Sequence, residues 1–278
     1  MLRAVELCAG AGGLSLGLER ARIHPVALID NDPHACATLR VNRPRWNTIE
    51  ADLQSFDLSP WAGVDLLSGG LPCPPYSLAG KQHGEADERD LFPAMLRIVE
   101  TVQPRAVLIE NVRGLMQAKF EPVRERVDSD LRAMGFDPYW AMLNAADYST
   151  PQNRSRVFLI ATKRGETGEL VWPFPTMGAA PTVGETLGDL MAADGWHGAE
   201  EWAAKANRVA PTIVGGSKKH GGPDLGPTRA REEWAALGVD GLGIADSPPP
   251  RIQRRSPAHG AHGRPYSGLP RRLVVLWR

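Results

Sequence analysis

Length, composition and charge place this chain among ordinary folded proteins. Its 278 residues can bury a substantial core, as one large domain or as a large domain with a smaller one attached. Hydrophobic residues make up 42% and no apolar stretch is long enough to span a bilayer, so we expect no membrane association. Met1 leads directly into an apolar segment without a secretory signal, which predicts a cytoplasmic protein of the prokaryotic cytosol or nucleoid.

The charge balance leaves a nucleic-acid partner open, whereas the cysteines argue against two kinds of stabilising site. Lys plus Arg and Asp plus Glu number 32 each, so bulk charge does not indicate a polyanionic partner. The three cysteines, Cys8, Cys36 and Cys73, are odd in number and lack metal-ligand spacing. We therefore expect neither a disulfide framework nor a bound metal. Buried cysteines usually behave as small apolar residues, and we interpret Cys8 and Cys36 in that way.

Up to about residue 163 the chain alternates short apolar, β-rich runs with amphipathic stretches. This alternation predicts an α/β fold with a doubly wound parallel sheet covered on both faces. The predicted strands are 4–7, 25–30, 47–51, 64–68, 106–112, 139–143 and 156–162. The predicted helices are 13–22, 33–42, 91–102 and 123–134, the last of which ends at Gly135, a favourable C-terminal cap.

The pattern changes after Lys163, where Gly, Pro and Trp interrupt the alternation and helical periodicity is confined to 182–192 and 232–237. We therefore divide the chain into a first domain at 1–163, a small irregular region at 164–246 and a tail at 247–278. The tail holds three consecutive prolines and many arginines but no acidic residue, a composition that predicts disorder.

A glycine-rich turn follows the first predicted strand. Its segment 8–13 contains Gly10, Gly12 and Gly13, which let a backbone turn tightly and approach a ligand closely. Asp30 ends the second strand, where a carboxylate can accept hydrogen bonds from both ribose hydroxyls of a nucleoside cofactor. The pair does not separate an adenosyl-methionine from a dinucleotide, although the glycine spacing, with Gly17 next, favours the sulfonium cofactor. A purely structural turn is the alternative.

Two further residues stand at predicted strand ends. Asp52, after the third strand, is a candidate acceptor for an adenine amino group or a solvated turn aspartate. Cys73 follows the fourth strand in a loop that Pro72 and Pro74 stiffen, at the carboxyl edge where ligands bind such sheets. Prolines on both sides fix the backbone of Cys73, which indicates a side chain that must be held in place.

Four segments in order resemble the motifs of the DNA cytosine-5 methyltransferase family. They are the glycine turn, the Pro72–Cys73 loop, Glu110-Asn111-Val112 and Gln152-Asn153-Arg154-Ser155-Arg156. The resemblance covers roughly residues 3–163 and departs from the family at Pro74, where Gln is common, and at Tyr76, where Phe is common. It implies a Rossmann-like S-adenosyl-L-methionine-dependent sheet with a small irregular second domain.

The resemblance assigns catalytic roles residue by residue. Cys73 would attack C6 of cytosine, because C5 is a poor nucleophile until a thiolate adds beside it. Glu110 would protonate N3, and its apolar strand predicts a partly desolvated carboxyl group, with an ion-paired or capping glutamate as the alternative. Asn111 would position the active-site loops. Arg156, with Arg154 on the same predicted strand face, would reach cytosine O2 and lower the thiol pKa, whereas two solvated arginines are the alternative.

The resemblance also implies a cofactor pocket and a DNA interface. The predicted cofactor contacts, at the ends of the first four strands, are Cys8, Ala9, Gly10, Gly12, Gly13, Leu14, Asp30, Asn31, Asp52, Leu53 and Pro72. Predicted contacts to double-stranded DNA are Ser77, Gln82 and Arg89 in a mobile loop, Gln152, and Arg208, Lys218 and Lys219 in a target-recognition region at 164–246. A solvated charged loop is the alternative for the last three. The cytosine must be rotated out of the stack to be reached.

The family continues into a final Gly-Asn segment that completes the cofactor pocket, and we find no such segment here. The arginine- and proline-rich tail resembles the product of a reading-frame change in a truncated chain. Three hypotheses remain: an active cytosine-5 methyltransferase, an inactive DNA-binding remnant, and an unrelated nucleotide-dependent oxidoreductase. We favour the first, as a monomer with a companion restriction endonuclease, because an oxidoreductase leaves Cys73, Glu110 and the arginine pair without a role.

Overall fold

The structure is a computed structural model that describes residues 1–72, 90–166, 168, 170–193, 195–213, 225–239 and 241, with the backbone of 244–245 and 269–270. Its contacts divide the chain into two units. The first, here called the sheet unit, comprises Met1–Leu143 and Ser155–Trp172. The second, the helical unit, comprises Asn144–Arg154 and Pro173–Arg278.

The sheet unit alternates strands and helices along the chain. Its strands are β1 (Leu2–Leu7), β2 (Ile23–Asp30), β3 (Thr48–Glu50), β4 (Leu66–Gly70), β5 (Ala106–Val112), β6 (Phe136–Asn144, ending at the unit boundary) and β7 (Ser155–Lys163). Its helices are α1 (Gly13–Arg20), α2 (Pro33–Asn42), α3 (Phe92–Val102) and α4 (Glu121–Ala133), with short 3₁₀ turns at Ser59–Trp61, Arg113–Met116 and Ala118–Phe120. All seven predicted strands and all four predicted helices are therefore present.

The seven strands form one sheet in the order β3-β2-β1-β4-β5-β7-β6. The order reverses between β1 and β4, which are parallel neighbours, and ligands bind open α/β sheets outside the strand ends at such a point. The expectation of an entirely parallel sheet was wrong at β7, which pairs antiparallel with β5 from Ala106↔Thr162 to Val112↔Arg156. The connection from β6 to β7, residues 145–154, contains no crossover helix. Parallel neighbours need a crossover connection of a dozen or more residues, so β7 enters the sheet in the antiparallel direction.

Burial follows the period expected for each element. In β5, Val107, Ile109 and Asn111 are buried while the residues between them are only partly covered, so one strand face meets the core. Helix α3 contributes Phe92, Met95, Val99 and Val102 to that same core. A second, smaller cluster joins Ala9, Leu28, Leu39 and Trp46 beside the glycine turn. The turn is thus packed from below by large side chains.

Two element boundaries differ from the prediction for local reasons. Strand β4 runs through Gly69 and Gly70, which were expected to be loop. A Cβ at residue 69 would lie 2.9 Å from the carbonyl oxygen of Leu7, so glycine lets β4 approach β1 closely. Helix α1 ends at Arg20, two residues early, because Arg22 adopts a left-handed backbone with φ of 63°. These are shifts of boundary and leave the predicted elements in place.

The helical unit contains α5 (Val183–Ala192), α6 (Ala199–Lys205) and α7 (Thr228–Ala235), with a 3₁₀ turn at Ala145–Tyr148 and two short paired strands, β8 (Ile244–Ala245) and β9 (Leu269–Pro270). Helix α5 begins with a capping box between Thr182 and Glu185. Helices α5 and α6 share a core with Trp202 and Trp234. The sequence analysis did not predict α6, since seven residues hold too few turns for a clear periodic signal.

The contacts also assign two short segments to units. Residues 144–154 belong to the helical unit, and 164–172 belong to the sheet unit. The predicted roles of the regions 1–163, 164–246 and 247–278 stay predictions. Within the part of the chain that the structure describes, no helix combines the length and apolar character needed to cross a membrane.

Candidate active site and cofactor cavity

A cavity of about 470 Å³ opens in the sheet unit beside the ends of β1, β2, β3 and β4. Volumes of this order accommodate small organic ligands and cofactors. Its lining combines carboxylates with apolar side chains and consists of Cys8, Asp30, Asn31, Ala51, Asp52, Leu53, Gln54, Gly70, Pro72 and Leu91. Six of the predicted cofactor contacts are in this set: Cys8, Asp30, Asn31, Asp52, Leu53 and Pro72.

The glycine turn adjoins the cavity through Cys8 and has an unusual backbone. Cys8, Gly10 and Gly12 all have positive φ values, of 52°, 54° and 83°. A Cβ at residue 12 would lie 2.6 Å from Cδ2 of Leu39 and 3.0 Å from the Trp46 ring, so only glycine fits there. Ala9, Gly10, Gly12, Gly13 and Leu14 build this turn and the start of α1 and do not line the cavity. Their assignment as cofactor contacts stays a prediction.

Asp30 connects the turn to the cavity. Its Oδ2 accepts a hydrogen bond from the amide of Gly10 at 2.8 Å, and its Oδ1 accepts one from the amide of Asp32 at 2.8 Å. A carboxylate has about four lone-pair sites, so both oxygens can accept further bonds from a ligand. The same side chain therefore orients the glycine turn and presents acceptors to the cavity.

Asp52 is held in a similar way after β3. Its Oδ1 accepts from the amide of Gln54 at 2.9 Å, which closes a turn and fixes the side chain. Asp52 thus has the features of both readings of the sequence, a turn aspartate and a cavity residue. Asp52 is exposed to solvent and lines the cavity next to the buried Leu53.

Glu110 and Arg156 form an ion pair beside this cavity. Oε1 of Glu110 lies 2.7 Å from Nε of Arg156, and their side chains are 25% and 19% exposed. A Cβ at Gly70, which lines the cavity, would lie 3.5 Å from Oε2 of Glu110 and 4.0 Å from the carbonyl oxygen of Cys8. The carboxylate and the cavity are therefore separated by a single glycine backbone.

The ion pair decides between the two environments that the sequence predicted for Glu110. The sequence suggested a partly desolvated carboxyl group or an ion-paired one, and the geometry is that of an ion pair. Its partner is the arginine that the resemblance assigns to the same site. Asn111, which follows, is 1% exposed, and its Oδ1 accepts from the amide of Val112 at 2.9 Å. Asn111 thereby stiffens the end of β5 next to Glu110.

Several predicted site residues lie outside the described residues: Cys73, Ser77, Gln82, Arg89, Lys218 and Lys219. Their assigned roles stay predictions. Pro72, which precedes Cys73 in the chain, lines the cavity.

The segment that contains Gln152 and Arg154 belongs to the helical unit. There it pairs with residues 210–213: the amide of Asn153 donates to Ala210 O at 2.8 Å, and the hydroxyl of Thr212 donates to Asn153 O at 2.5 Å. Oε1 of Gln152 accepts from the amide of Ile213 at 3.4 Å. Gln152 is thus engaged within the protein, while Arg208 is exposed. Contact of either residue with DNA stays a prediction.

The sequence analysis missed Glu6 and four of the residues that line the cavity, Ala51, Gln54, Gly70 and Leu91. Gln54 and Leu91 line the cavity, but an exposed turn residue and a helix-start leucine carry no distinguishing pattern. Glu6 is the one charged side chain that is buried among the residues that the structure describes, at 1% exposure. Burial, aided by the nearby Asp30 carboxylate and opposed by a hydrogen bond from Ser15, raises the pKa of Glu6 from 4.5 to about 7. A charged residue in an apolar strand was the available signal.

Of the two described cysteines, Cys8 lines the cavity and Cys36 lies in α2. Burial, with Asp30, Glu6 and Asp52 nearby, raises the pKa of Cys8 to about 12. Burial also raises the pKa of Cys36, whose Sγ lies 3.5 Å from Asp30 O. Both thiols therefore remain protonated at neutral pH, consistent with the interpretation that neither is a nucleophile.

The sheet order and the cavity beside the strand ends define a Rossmann-like α/β class of protein. The model of the family described as C-5 cytosine-specific DNA methylase matches residues 2–227. The type II methyltransferase M.NaeI of Lentzea aerocolonigenes is 53% identical over 251 residues, which are 89% of this chain and 60% of that protein. The type II methyltransferase M.NgoMIV of Neisseria gonorrhoeae is 49% identical over 211 residues, or 76% of this chain and 68% of that protein.

A solved structure gives the same result. A prophage-encoded protein of E. coli, assigned as a DNA modification methyltransferase, superposes with a TM-score of 0.59 and 28% identity, covering 67% of this chain and 54% of that chain. The chain therefore belongs to the C-5 cytosine-specific DNA methylase family. It spans 60% of the length of M.NaeI and 68% of that of M.NgoMIV. The family membership removes the oxidoreductase hypothesis.

Proposed function

We propose that this chain transfers a methyl group from S-adenosyl-L-methionine to C5 of a cytosine in double-stranded DNA. The observation that carries the proposal is the ion-paired Glu110 beside Gly70, on a cavity with carboxylates at the ends of two strands. A carboxyl group that can protonate a nucleobase thus lies next to a pocket that can bind a nucleoside. Both are in one sheet, in a chain of the C-5 cytosine-specific DNA methylase family.

The residues of the cavity fit the cofactor. Asp30 offers acceptors for ribose hydroxyls, Asp52 offers one for the adenine amino group, and Leu53, Leu91 and Pro72 provide apolar surface for the base. When bound, S-adenosylmethionine supplies an electrophilic methyl group on its sulfonium sulfur. The chain's own task there is to bind the adenosyl part and to exclude water from the transfer.

The protein side of the reaction begins with the thiolate of Cys73, which adds to C6 and forms a carbon–sulfur bond. Because Arg156 holds the resting carboxylate of Glu110 at 2.7 Å, the incoming base must share or replace that contact, and Glu110 takes up a proton from solvent as it does so. The electron pair of the C5–C6 double bond moves into the ring, where Glu110 neutralises the developing charge by donating this proton at N3. After methylation, a water molecule accepts the C5 proton, the carbon–sulfur bond breaks to release the thiolate of Cys73, and N3 returns its proton to Glu110, which restores the aromatic ring.

Access to C6 requires that the cytosine leave the stacked duplex. The segment with Ser77, Gln82 and Arg89 acts as the closing loop, and the helical unit supplies target recognition through Arg208, Lys218 and Lys219. Gln152 holds residue 213 within that unit, so it shapes the recognition segment. The type II names of the relatives support a restriction-modification role with a companion endonuclease. A cytoplasmic location and a monomeric state are part of the same proposal.

Covalent trapping tests the proposal. The purified chain is mixed with S-adenosylmethionine and a random-sequence duplex DNA in which 5-fluorocytosine replaces cytosine, since fluorine at C5 blocks the release step. We expect a denaturant-resistant protein–DNA complex on a gel, and a mass spectrum that assigns the bond to Cys73. Cys36→Ala, a matched cysteine buried in α2, is expected to trap like the unaltered chain.

The outcomes separate the hypotheses. Trapping that persists in Cys73→Ser would refute the assigned nucleophile. Absence of trapping with intact DNA binding, measured by a gel shift, would favour the inactive DNA-binding remnant. Trapping without S-adenosylmethionine being consumed would reject the cofactor assignment. Digestion of treated plasmid and detection of 5-methylcytosine by mass spectrometry then confirms the product.

A further inference from the structure

A buried hydrogen bond crosses beneath the glycine turn. It joins the carboxylate of Glu6, in β1, to the hydroxyl of Ser15, in α1, and both side chains are buried, at 1% and 0% exposure. Glu6 precedes the turn and Ser15 follows it, so this one bond ties the two ends of the segment Cys8–Gly12 together. None of the catalytic roles above uses either residue.

The turn needs such a tie. Cys8, Gly10 and Gly12 all have positive φ, and a non-glycine residue such as Cys8 persists there only when its surroundings enforce the conformation. From outside, Asp30 holds the amide of Gly10 at 2.8 Å. From beneath, the bond between Glu6 and Ser15 sets the separation of β1 from α1. The cavity edge is therefore braced from two sides.

We propose that Glu6 and Ser15 are positioning residues for the cofactor: their hydrogen bond holds the glycine turn in its binding shape, and the charge on Glu6 sets how firmly it is held. The inference rests on the proposed use of S-adenosylmethionine. A hydrogen bond to an ionised carboxylate is roughly twice as strong as one to a neutral acid. Ionised Glu6 thus braces the turn more strongly than protonated Glu6.

The surroundings of Glu6 predict where this difference acts. Asp30 faces it from β2, Ser15 from α1, Cys8 from the end of β1, and its neighbour in β4 is the uncharged Ser68. Burial and Asp30 raise the pKa of Glu6 to about 7, whereas Cys8, with a pKa of about 12, stays neutral through this range. Cofactor affinity is therefore expected to rise as pH increases through 7.

Isothermal titration calorimetry of the full chain with S-adenosylmethionine from pH 6 to 8.5 tests this. We expect the affinity of the unaltered chain to rise about three- to tenfold across the range, the scale of the difference between a charge-assisted and a neutral hydrogen bond. In Glu6→Gln, which keeps the shape without the titration, this rise is expected to disappear. Titration of the cofactor's own groups is common to both proteins, so the difference isolates Glu6.

Ser15→Ala is the second variant and covers the case in which Glu6→Gln does not fold. It is expected to weaken binding more at pH 8 than at pH 6, and Ser15→Thr should restore the affinity. Ser68→Ala is the matched control, because this serine is equally buried and donates to the backbone oxygen of Val5 instead of to Glu6. We expect it to lower the melting temperature without changing the pH profile of binding.

Failure of cofactor binding and failure of the positioning role give different results. If the unaltered chain binds no S-adenosylmethionine at any pH, the proposed function fails and this inference falls with it. If the chain binds the cofactor but Glu6→Gln and Ser15→Ala keep the unaltered pH profile, the positioning role alone is overturned. A uniform loss of affinity at all pH values in both variants would also overturn it, because it would indicate a general structural effect.

Discussion

Helix α5 contains two glycines that face helix α6, Gly184 and Gly188. We expect substitution by alanine to have opposite effects on stability at these two positions. A Cβ at residue 184 would lie 2.0 Å from the carbonyl oxygen of Ala203, a contact that real Cβ atoms do not make. A Cβ at residue 188, one turn later, would lie 3.4 Å from Cβ of Ala203, an ordinary van der Waals distance. Gly188→Ala is therefore a matched control for Gly184→Ala.

The magnitudes follow from three contributions. In Gly184→Ala the helices must move apart, which costs about 1–3 kcal/mol, and the 2.8 Å bond from the amide of Gly184 to Ala206 O is lost, which costs about 1 kcal/mol. The higher helix propensity of alanine returns up to about 1 kcal/mol. We expect a net loss of about 2 kcal/mol for Gly184→Ala and a gain of about 0.5–1 kcal/mol for Gly188→Ala.

Hydrogen exchange by mass spectrometry measures this effect in the helical unit. Peptides that cover α5 and α6 are expected to lose protection in Gly184→Ala and to gain it in Gly188→Ala. Peptides from β1 and β4 should exchange as before. Under the proposed function, Gly184→Ala should also weaken DNA binding while leaving S-adenosylmethionine binding unchanged, because the residues that line the cavity all belong to the sheet unit.

Equal protection of α5 and α6 in the two variants would contradict the close approach of these helices at Gly184. A Gly184→Ala variant as stable as the unaltered chain would contradict it as well. A loss of cofactor affinity in Gly184→Ala would contradict the assignment of separate tasks to the two units.

Three further predictions concern the sheet unit. The pKa of Glu6 is raised from 4.5 to about 7, so the folded state binds the proton more tightly. The contribution of Glu6 to stability should therefore fall by about 3 kcal/mol as pH rises from 4.5 to 7. The difference in urea unfolding free energy between the unaltered chain and Glu6→Gln measures this contribution, and a difference that does not change with pH would contradict it. Asp30→Asn should weaken cofactor binding at least about tenfold in calorimetry, since a charge-assisted bond to Gly10 is lost; unchanged affinity would exclude that role. Gly12→Ala should cost about 2 kcal/mol or more through its contact with Leu39, and an unchanged melting temperature would argue against that packing.

Local signals were sufficient for most of the elements. The bounds of α2 and β5 agree with those predicted, because amphipathic periodicity, Pro33 at a helix start and an apolar run are properties of contiguous residues. The fold class and the family, too, could be read from motifs in the chain.

Other features depended on pairings between distant residues, which no local pattern encodes. The antiparallel placement of β7 beside β5 brings Arg156 to Glu110, and the sequence suggested only that both belonged to one site. The burial of Glu6 against Ser15 likewise follows from how α1 packs on β1. The sequence by itself determined which residue types and elements are present. Tertiary packing decided which charges meet and which are buried, because burial and pairing are set by neighbours far apart in the chain.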